Sequence, residues 1–316
     1  MPQIMILIDE NHPELKEWAN KTHVGIYTYN QLKDDFLNYN ILAKEWSSFE
    51  ENQKDYNCVY STNPQFLLNK KIKIPYFYNI YSNIFDNEMD FKEFNNYYSQ
   101  LAGANAVFVN ERTLNKYSSW LELNSYWVNS AINSYDYIPK KFFTPKLHIG
   151  YVYNGNNDVY DLVKKIISIK KSNWIFHIYE GNRHDISAEF TENVVFYDGE
   201  NFEKRIFENT HVLLDIIDPR YPKEFPSDLA ARAMSGGVVL ISNNSHNNNS
   251  NIFFDKTHYF KLDFNSANDV ADILRYCDKR REKLERVSIS GKDVVNKYFS
   301  NKVIVSEKLR IIKNFI

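Results

Sequence analysis

The chain is predicted to be an α/β protein made of two doubly wound domains, each a parallel sheet with helices on both faces. Three observations carry that expectation. Short apolar runs alternate with helical patterns through the first half, the alternation restarts after residue 146, and residues 268–316 show helical periodicity with no strand signal. Strands that alternate with helices are joined by crossovers, which favours parallel pairing and helices packed on both sides of a sheet.

In the first half, Ile4-Met5-Ile6-Leu7-Ile8 reads as a buried strand, followed by strands at 58–60, 75–80, 106–109 and 125–128. Helical spacing falls between them at 14–20, 29–37, 91–101 and 111–121. The second half opens on the strand Leu147-His148-Ile149-Gly150-Tyr151-Val152, then a polar loop at 153–157 and a helix at 158–170. Further strands are expected at 175–179, 194–197, 212–216, 238–241 and 259–262, and helices at 268–285, 292–297 and 302–313. Pro139 and Pro145 bracket a short basic-aromatic segment that suits a linker. The expected division is therefore 1–140, 141–300 and a terminal helical piece, 301–316, with the spacing of a helix that docks back on the first domain.

Composition narrows the function. With 316 residues and 43% apolar content the chain has ample material for two cores, and its net charge of −2 lacks the basic excess of a nucleic-acid binder. Cys58 and Cys277 are far apart and form no CxxC, so neither a disulfide framework nor a zinc site is expected. The eight histidines, at 12, 23, 148, 177, 184, 211, 246 and 258, show no HxH or HxxxH pairing, and His148 and His177 fall inside expected strands. No metal site is expected. The first residues carry no basic region and break their apolar run at Asp9, which argues against a signal peptide, and no run approaches the ~18 apolar residues of a membrane span. A cytoplasmic protein is expected, with peripheral membrane contact left open. GxSxG, Walker and GxGxxG patterns are all absent.

The richest segment is 224–241, Glu-Phe-Pro-Ser-Asp-Leu-Ala-Ala-Arg-Ala-Met-Ser-Gly-Gly-Val-Val-Leu-Ile. Pro226-Ser227-Asp228 is a helix start with Ser227 or Asp228 as cap, the Ala-rich turns follow, Gly236-Gly237 ends the helix, and an apolar strand begins at once. A helix N-terminus offers free N–H groups and a positive partial charge, which suits a phosphate.

This segment resembles the donor-site signature of GT-B fold glycosyltransferases, family 4 in particular. Glu224 matches the first Glu of that signature, and Ala233-Met234-Ser235-Gly236-Gly237-Val238-Val239 its tail, while Arg232 stands where the second Glu belongs. Weaker matches follow in order: residues 104–111, the turn Val128-Asn129-Ser130-Ala131-Ile132-Asn133, the strand at 148–152, Asn193-Val194-Val195-Phe196, and Val212-Leu213-Leu214-Asp215-Ile216. The ordered series covers roughly residues 100–300.

The resemblance implies two Rossmann-like domains facing a cleft. It implies a nucleotide-sugar donor, a UDP-sugar foremost, and transfer of a hexosyl group with retention to a glycan, lipid-linked or protein acceptor, without cofactor or metal. It makes Glu224 the catalytic and donor-binding carboxylate. It groups Asn154, Gly155, Arg220, Lys223, Asp228, Arg232 and Gly236 around the donor, and it puts Tyr81 where relatives place an acceptor-side His. A bacterial surface glycan or glycoconjugate is the acceptor class it suggests.

The departures are chemical. The loop Tyr153-Asn154-Gly155-Asn156-Asn157 lacks the Arg/Lys pair that relatives set against the diphosphate. Arg232, two helical turns from Glu224, is read either as a contact to nucleotide phosphate or base or as a salt-bridge partner of Asp228. Asp228 is either a ribose-hydroxyl acceptor or the cap. These departures also fit a GT-B protein that no longer catalyses and instead binds a glycan or supports an active partner enzyme.

Overall fold

The structure is a computed structural model in which residues 3–7, 40–44, 53–61, 71–80, 98–99, 101–109, 121–128, 142–153, 155–169, 172–181, 185–190, 192–199, 201–217, 225–243, 251–262 and 266–316 are described. The helices expected at 14–20 and 29–37, most of 91–101 and all but the end of 111–121 lie outside these residues. The chain divides into two compact units, Met1–Asn133 with Phe299–Ile316, and Ser134–Tyr298.

The first unit is built on a six-stranded parallel sheet in the order β2-β1-β3-β4-β5-β6, from β1 (Gln3–Leu7), β2 (Asn40–Lys44), β3 (Cys58–Ser61), β4 (Tyr76–Ile80), β5 (Ala106–Val109) and β6 (Ser125–Trp127). Sequence reading missed β2. All four residues of β5 are buried, as a strand covered on both faces requires. Alternation along the strands sorts the side chains into two cores. Cys58, Tyr60, Phe77, Ala106 and Phe108 face one side, where Ile304, Leu309, Ile311 and Ile312 of the last helix, α7 (Asn301–Ile312), cover them. Val59, Tyr78, Val107 and Val109 face the other, with Tyr56, Leu101, Ala104 and Leu123.

Lys308 of α7 lies partly buried at the edge of the first of these cores. Its Nζ donates to the Tyr60 hydroxyl at 3.2 Å and stands 5.8 Å from the centroids of the Tyr60 and Phe108 rings. Burial lowers its pKa from 10.5 to about 7, with the Glu307 carboxylate acting in the opposite sense. The unfolded chain keeps the ordinary value, so above pH 7 it binds more protons than the folded unit and stability rises with pH, by at most about 1.4 kcal/mol per unit. Below the folded pKa the penalty is constant. At still higher pH, burial of the Tyr60 and Cys58 side chains raises their pKa values and turns the trend downward. The melting temperature of the first unit is expected to climb between pH 7 and pH 9, and Lys308→Met should flatten that climb; an unchanged slope in the variant would remove Lys308 as its source.

The second unit carries β7 (Leu147–Val152), β8 (Trp174–Tyr179), β9 (Val194–Tyr197), β10 (Val212–Asp215), β11 (Val239–Ser242) and β12 (Phe260–Lys261) in a parallel sheet ordered β12-β11-β10-β7-β8-β9. The chain runs outward from β7 to β9, returns to the centre at β10 and runs outward again, so the topological switch lies between β7 and β10. The helices are α1 (Asn157–Ser168), α2 (Asp185–Glu189), α3 (Phe202–Asn209), α4 (Asp228–Ser235), α5 (Ala267–Lys279) and α6 (Arg281–Phe299). On one face Leu147, Ile149 and Tyr151 pack with Val159, Val163 and Ile167 of α1 and Val270 and Leu274 of α5. On the other, Gly150 leaves room for α3: a Cβ there would lie 2.9 Å from Thr210 Cγ2 and 3.0 Å from Ile206 Cγ2.

Two helical expectations need correction. The single helix expected at 268–285 is two, because Arg280 leaves helical geometry at φ −126°, ψ 57° between α5 and α6. The short helix expected at 292–297 is the second half of the 19-residue α6. His148 and His177 are interior strand residues, and their ring nitrogens Nδ1 and Nε2 meet at 2.8 Å, with the Tyr197 hydroxyl 2.8 Å from His177 Nδ1. His211 Nδ1 accepts the His148 backbone N–H at 3.1 Å. Among the described residues no group of three His, Cys, Asp or Glu is arranged to hold a metal ion, and no helix is long and apolar enough to cross a membrane. Cys58 and Cys277 are free and buried, with pKa values pushed up to about 12, which leaves both thiols unreactive.

Candidate functional site

The carboxyl ends of β7 and β10 flank the switch point, and each strand feeds a helix whose N-terminus opens on that edge of the sheet. Such an edge is where open α/β sheets bind ligands.

After β10 comes α4. Ser227 is its cap, with Oγ accepting the Ala230 N–H at 3.2 Å, so Asp228 is the first helical residue and not the cap. The Asp228 side chain lies outside the described residues. Ser227 also donates to Asp215 Oδ1 at 3.3 Å, while Ser242 at the end of β11 donates to Asp215 Oδ2 at 2.8 Å. One buried carboxylate thereby ties two strand ends to the start of α4. Next to it the Asn243 side chain accepts from Ile217 N at 2.9 Å and donates to Ile217 O at 2.8 Å, which pins the chain leaving β10.

The glycine pair closes α4. Gly237, at φ +84°, takes the left-handed position, its N–H reaching Met234 O at 2.9 Å and the Val238 N–H reaching Ala233 O at 3.0 Å. That double closure is a Schellman motif, and it explains why a glycine stands at 237. Gly236 is the ordinary C-cap at φ −81°. The fully buried β11 follows directly.

After β7, Gly155 has φ +89° with open space where a Cβ would be, so conformation and not crowding explains it. Asn156 caps α1 by accepting the Val159 N–H at 3.1 Å. Tyr153 donates to Asn157 Oδ1 at 3.0 Å. Beyond β8, Glu180 turns inward to accept Ser187 N at 2.8 Å and Ser187 Oγ at 3.2 Å, which caps α2. Glu224, Asn154, Arg220, Lys223 and Tyr81 lie outside the described residues.

Arg232 has a partner that sequence spacing did not suggest. Its Nη2 bonds Glu203 Oε1 of α3 at 3.1 Å, with the two side chains 12% and 30% exposed. A double-mutant cycle on Arg232→Ala and Glu203→Ala is expected to give a coupling of about 1 kcal/mol, the upper end for pairs still touching solvent. A coupling indistinguishable from zero would mean that the pair does not persist in solution. Asp215, Ser242 and Glu203 were missed as site residues; the available signal was a polar residue ending each of two otherwise apolar strands, Val-Leu-Leu-Asp and Val-Leu-Ile-Ser.

The arrangement offers two capped helix starts on either side of a switch point, with backbone N–H groups and positive dipole ends suited to an anionic ligand. No family model matches the chain, and no curated protein matches its sequence. Solved structures do match its fold. HepE of Anabaena, in complex with UDP-glucose, is similar over 99% of this chain and 100% of its own, at 9% identity and a TM-score of 0.67. Sucrose-phosphate synthase of Thermosynechococcus elongatus is similar over 99% of both chains, at 9% identity and a TM-score of 0.69. A putative UDP-N-acetylglucosamine 2-epimerase of Listeria monocytogenes is similar over 99% of this chain and 96% of its own, at 8% identity and a TM-score of 0.61. The fold is therefore that of the GT-B glycosyltransferases, with two parallel α/β sheets. Fold alone does not carry the reaction.

Proposed function

We propose that the chain is a glycosyltransferase of the family 4 type that moves a hexosyl group from a nucleotide sugar, a UDP-sugar foremost, to an acceptor hydroxyl with retention. The observation that carries this reading is the donor-like segment itself. Its helix starts at the carboxyl edge of a GT-B sheet, directly beyond the switch-point strand, and its glycine closure turns the chain at the opposite edge into the buried strand beside that one. Two similar structures, HepE and sucrose-phosphate synthase, bear on the donor: the first holds UDP-glucose and the second is a synthase of a sugar phosphate ester by name. In this reading Glu224 accepts hydrogen bonds from donor-sugar hydroxyls, the backbone at the starts of α1 and α4 faces the diphosphate together with Arg220 and Lys223, and Tyr81 lines the acceptor side. The protein positions donor and acceptor and stabilises charge on the departing diphosphate. No metal or cofactor takes part. The acceptor class is a bacterial surface glycan, lipid-linked glycan or glycoprotein, made in the cytoplasm or at the inner face of the membrane.

A second reading, a non-catalytic GT-B protein that binds a glycan or supports a partner enzyme, is favoured by one observation. Arg232, the cation within the donor-like helix, is paired with Glu203. The experiment that separates the two follows release of nucleoside diphosphate from UDP-, GDP-, ADP- and TDP-sugars, with and without chelator. Turnover of one donor, unchanged by chelator, is the expected result. Chelator-sensitive turnover would overturn metal independence, and no turnover of any donor would favour the second reading.

A further inference from the structure

The start of α4 is held from the sheet by Asp215, and it is also held from outside by a structure that the donor reading does not use. The turn at 253–261 is closed on itself. His258 N and Thr257 N reach Phe254 O at 3.0 and 3.2 Å, Lys256 N reaches Tyr259 O at 2.7 Å, and Lys261 N reaches Asp255 Oδ1 at 2.8 Å. His258 Nδ1 accepts the Phe254 N–H at 3.0 Å, an arrangement that needs the neutral imidazole, and burial lowers the pKa of that ring. So braced, the turn presents two rings, Phe253 and Tyr259, to Phe225. The Phe225 centroid lies 5.2 Å from Phe253, edge to face, and 4.6 Å from Tyr259, and all three rings are buried. Phe225 directly follows Glu224 and stands two residues before the Ser227 cap.

What lets the turn come so close is a glycine in the middle of a helix. Gly291 sits inside α6, where glycine disfavours the helix and alanine would favour it. A Cβ at 291 would lie 2.6 Å from the backbone oxygen of His258, a distance that real Cβ atoms do not tolerate, and 3.1 Å from Met234 Cε of α4. On the same face of α6, one turn earlier, Ser288 donates to the carbonyl of Gly237, the residue whose N–H helps to close α4. One helix face therefore touches both the turn and the C-terminal end of α4.

We infer that Gly291 is a positioning residue for the donor segment: by leaving out a Cβ it seats the 253–261 turn, whose Phe253 and Tyr259 rings then clamp Phe225 and fix the entry to α4. The inference rests on the donor-site reading of this segment and names the device that holds the entry to its helix.

The test measures the dissociation constant of the nucleoside diphosphate that binds the unchanged protein best, well below the melting temperature and with helicity checked by circular dichroism. Gly291→Ala should improve the helix yet weaken binding about tenfold, because the added methyl displaces the His258 carbonyl and with it both rings. Phe253→Leu should weaken it similarly without touching α6, which keeps the proposal testable if Gly291→Ala folds poorly. Tyr259→Leu, which removes the second ring of the clamp, should weaken binding as well. A role in stability alone would lower the melting temperature of these variants and leave the affinity of the folded protein as it was. Unchanged affinity in Gly291→Ala and Phe253→Leu overturns the positioning role while leaving the donor reading intact. Failure of the unchanged protein to bind any nucleoside diphosphate overturns both.

Discussion

Glu224→Gln is expected to lower glycosyl transfer about ten- to a hundredfold while the protein stays folded. The exchange keeps the size of the side chain and removes its charge and one strong acceptor, and hydrogen bonds to a charged group contribute roughly 1.5–3 kcal/mol. The fold should survive because the described supports of this region do not depend on residue 224. Ser227 makes the cap, Asp215 ties the cap to the sheet, and Phe225 is held between two rings. If Glu224, three residues before the Ser227 cap, served only to favour the positive end of α4, its loss would cost at most a few tenths to about 1 kcal/mol of stability and no activity. Full activity in Glu224→Gln would therefore displace the donor site from this segment.

The fold was legible in the sequence where strands are buried on both faces. Ala106–Val109 announces itself because two covered faces demand an unbroken apolar run, and Leu147–Val152 was readable although His148 and Gly150 interrupt its apolar residues. Asn40–Lys44 did not, since Asn and Lys at its ends leave only three apolar residues between them. Helix α3 was missed because it buries only Ile206 and Phe207 among charged residues. The break at Arg280 left no trace, for the residues around it are good helix formers and neither Gly nor Pro marks the spot. In the candidate site, the glycine stop of α4 was readable because its chemistry is local. The partners of Asp215 and Arg232 were not. Asp215 meets Ser242 only because β10 and β11 are neighbours, and Arg232 meets Glu203 from a different helix, whereas spacing rules see only residues three or four apart on one helix. The same holds for Gly291, whose reason lies in the carbonyl of His258.

The pairing of Arg232 also changes what that residue is expected to do. A guanidinium held by a carboxylate contributes little net charge to a nearby anion, so under the proposed function the burden of binding a diphosphate would fall on the backbone at the starts of α1 and α4. Loss of Arg232 should therefore disturb the contact between α3 and α4 more than it disturbs ligand affinity.

The central claim, that this GT-B fold holds a nucleotide-sugar donor, is tested most directly by thermal unfolding with millimolar uridine, guanosine, adenosine and thymidine diphosphates. A ligand present at 100 times its dissociation constant stabilises the native state by about 2.7 kcal/mol, which in a domain of this size corresponds to a shift of about 5–10 °C. One of the four is expected to raise the melting temperature by that amount, with a smaller effect from the matching nucleoside. No shift with any of them would contradict the account.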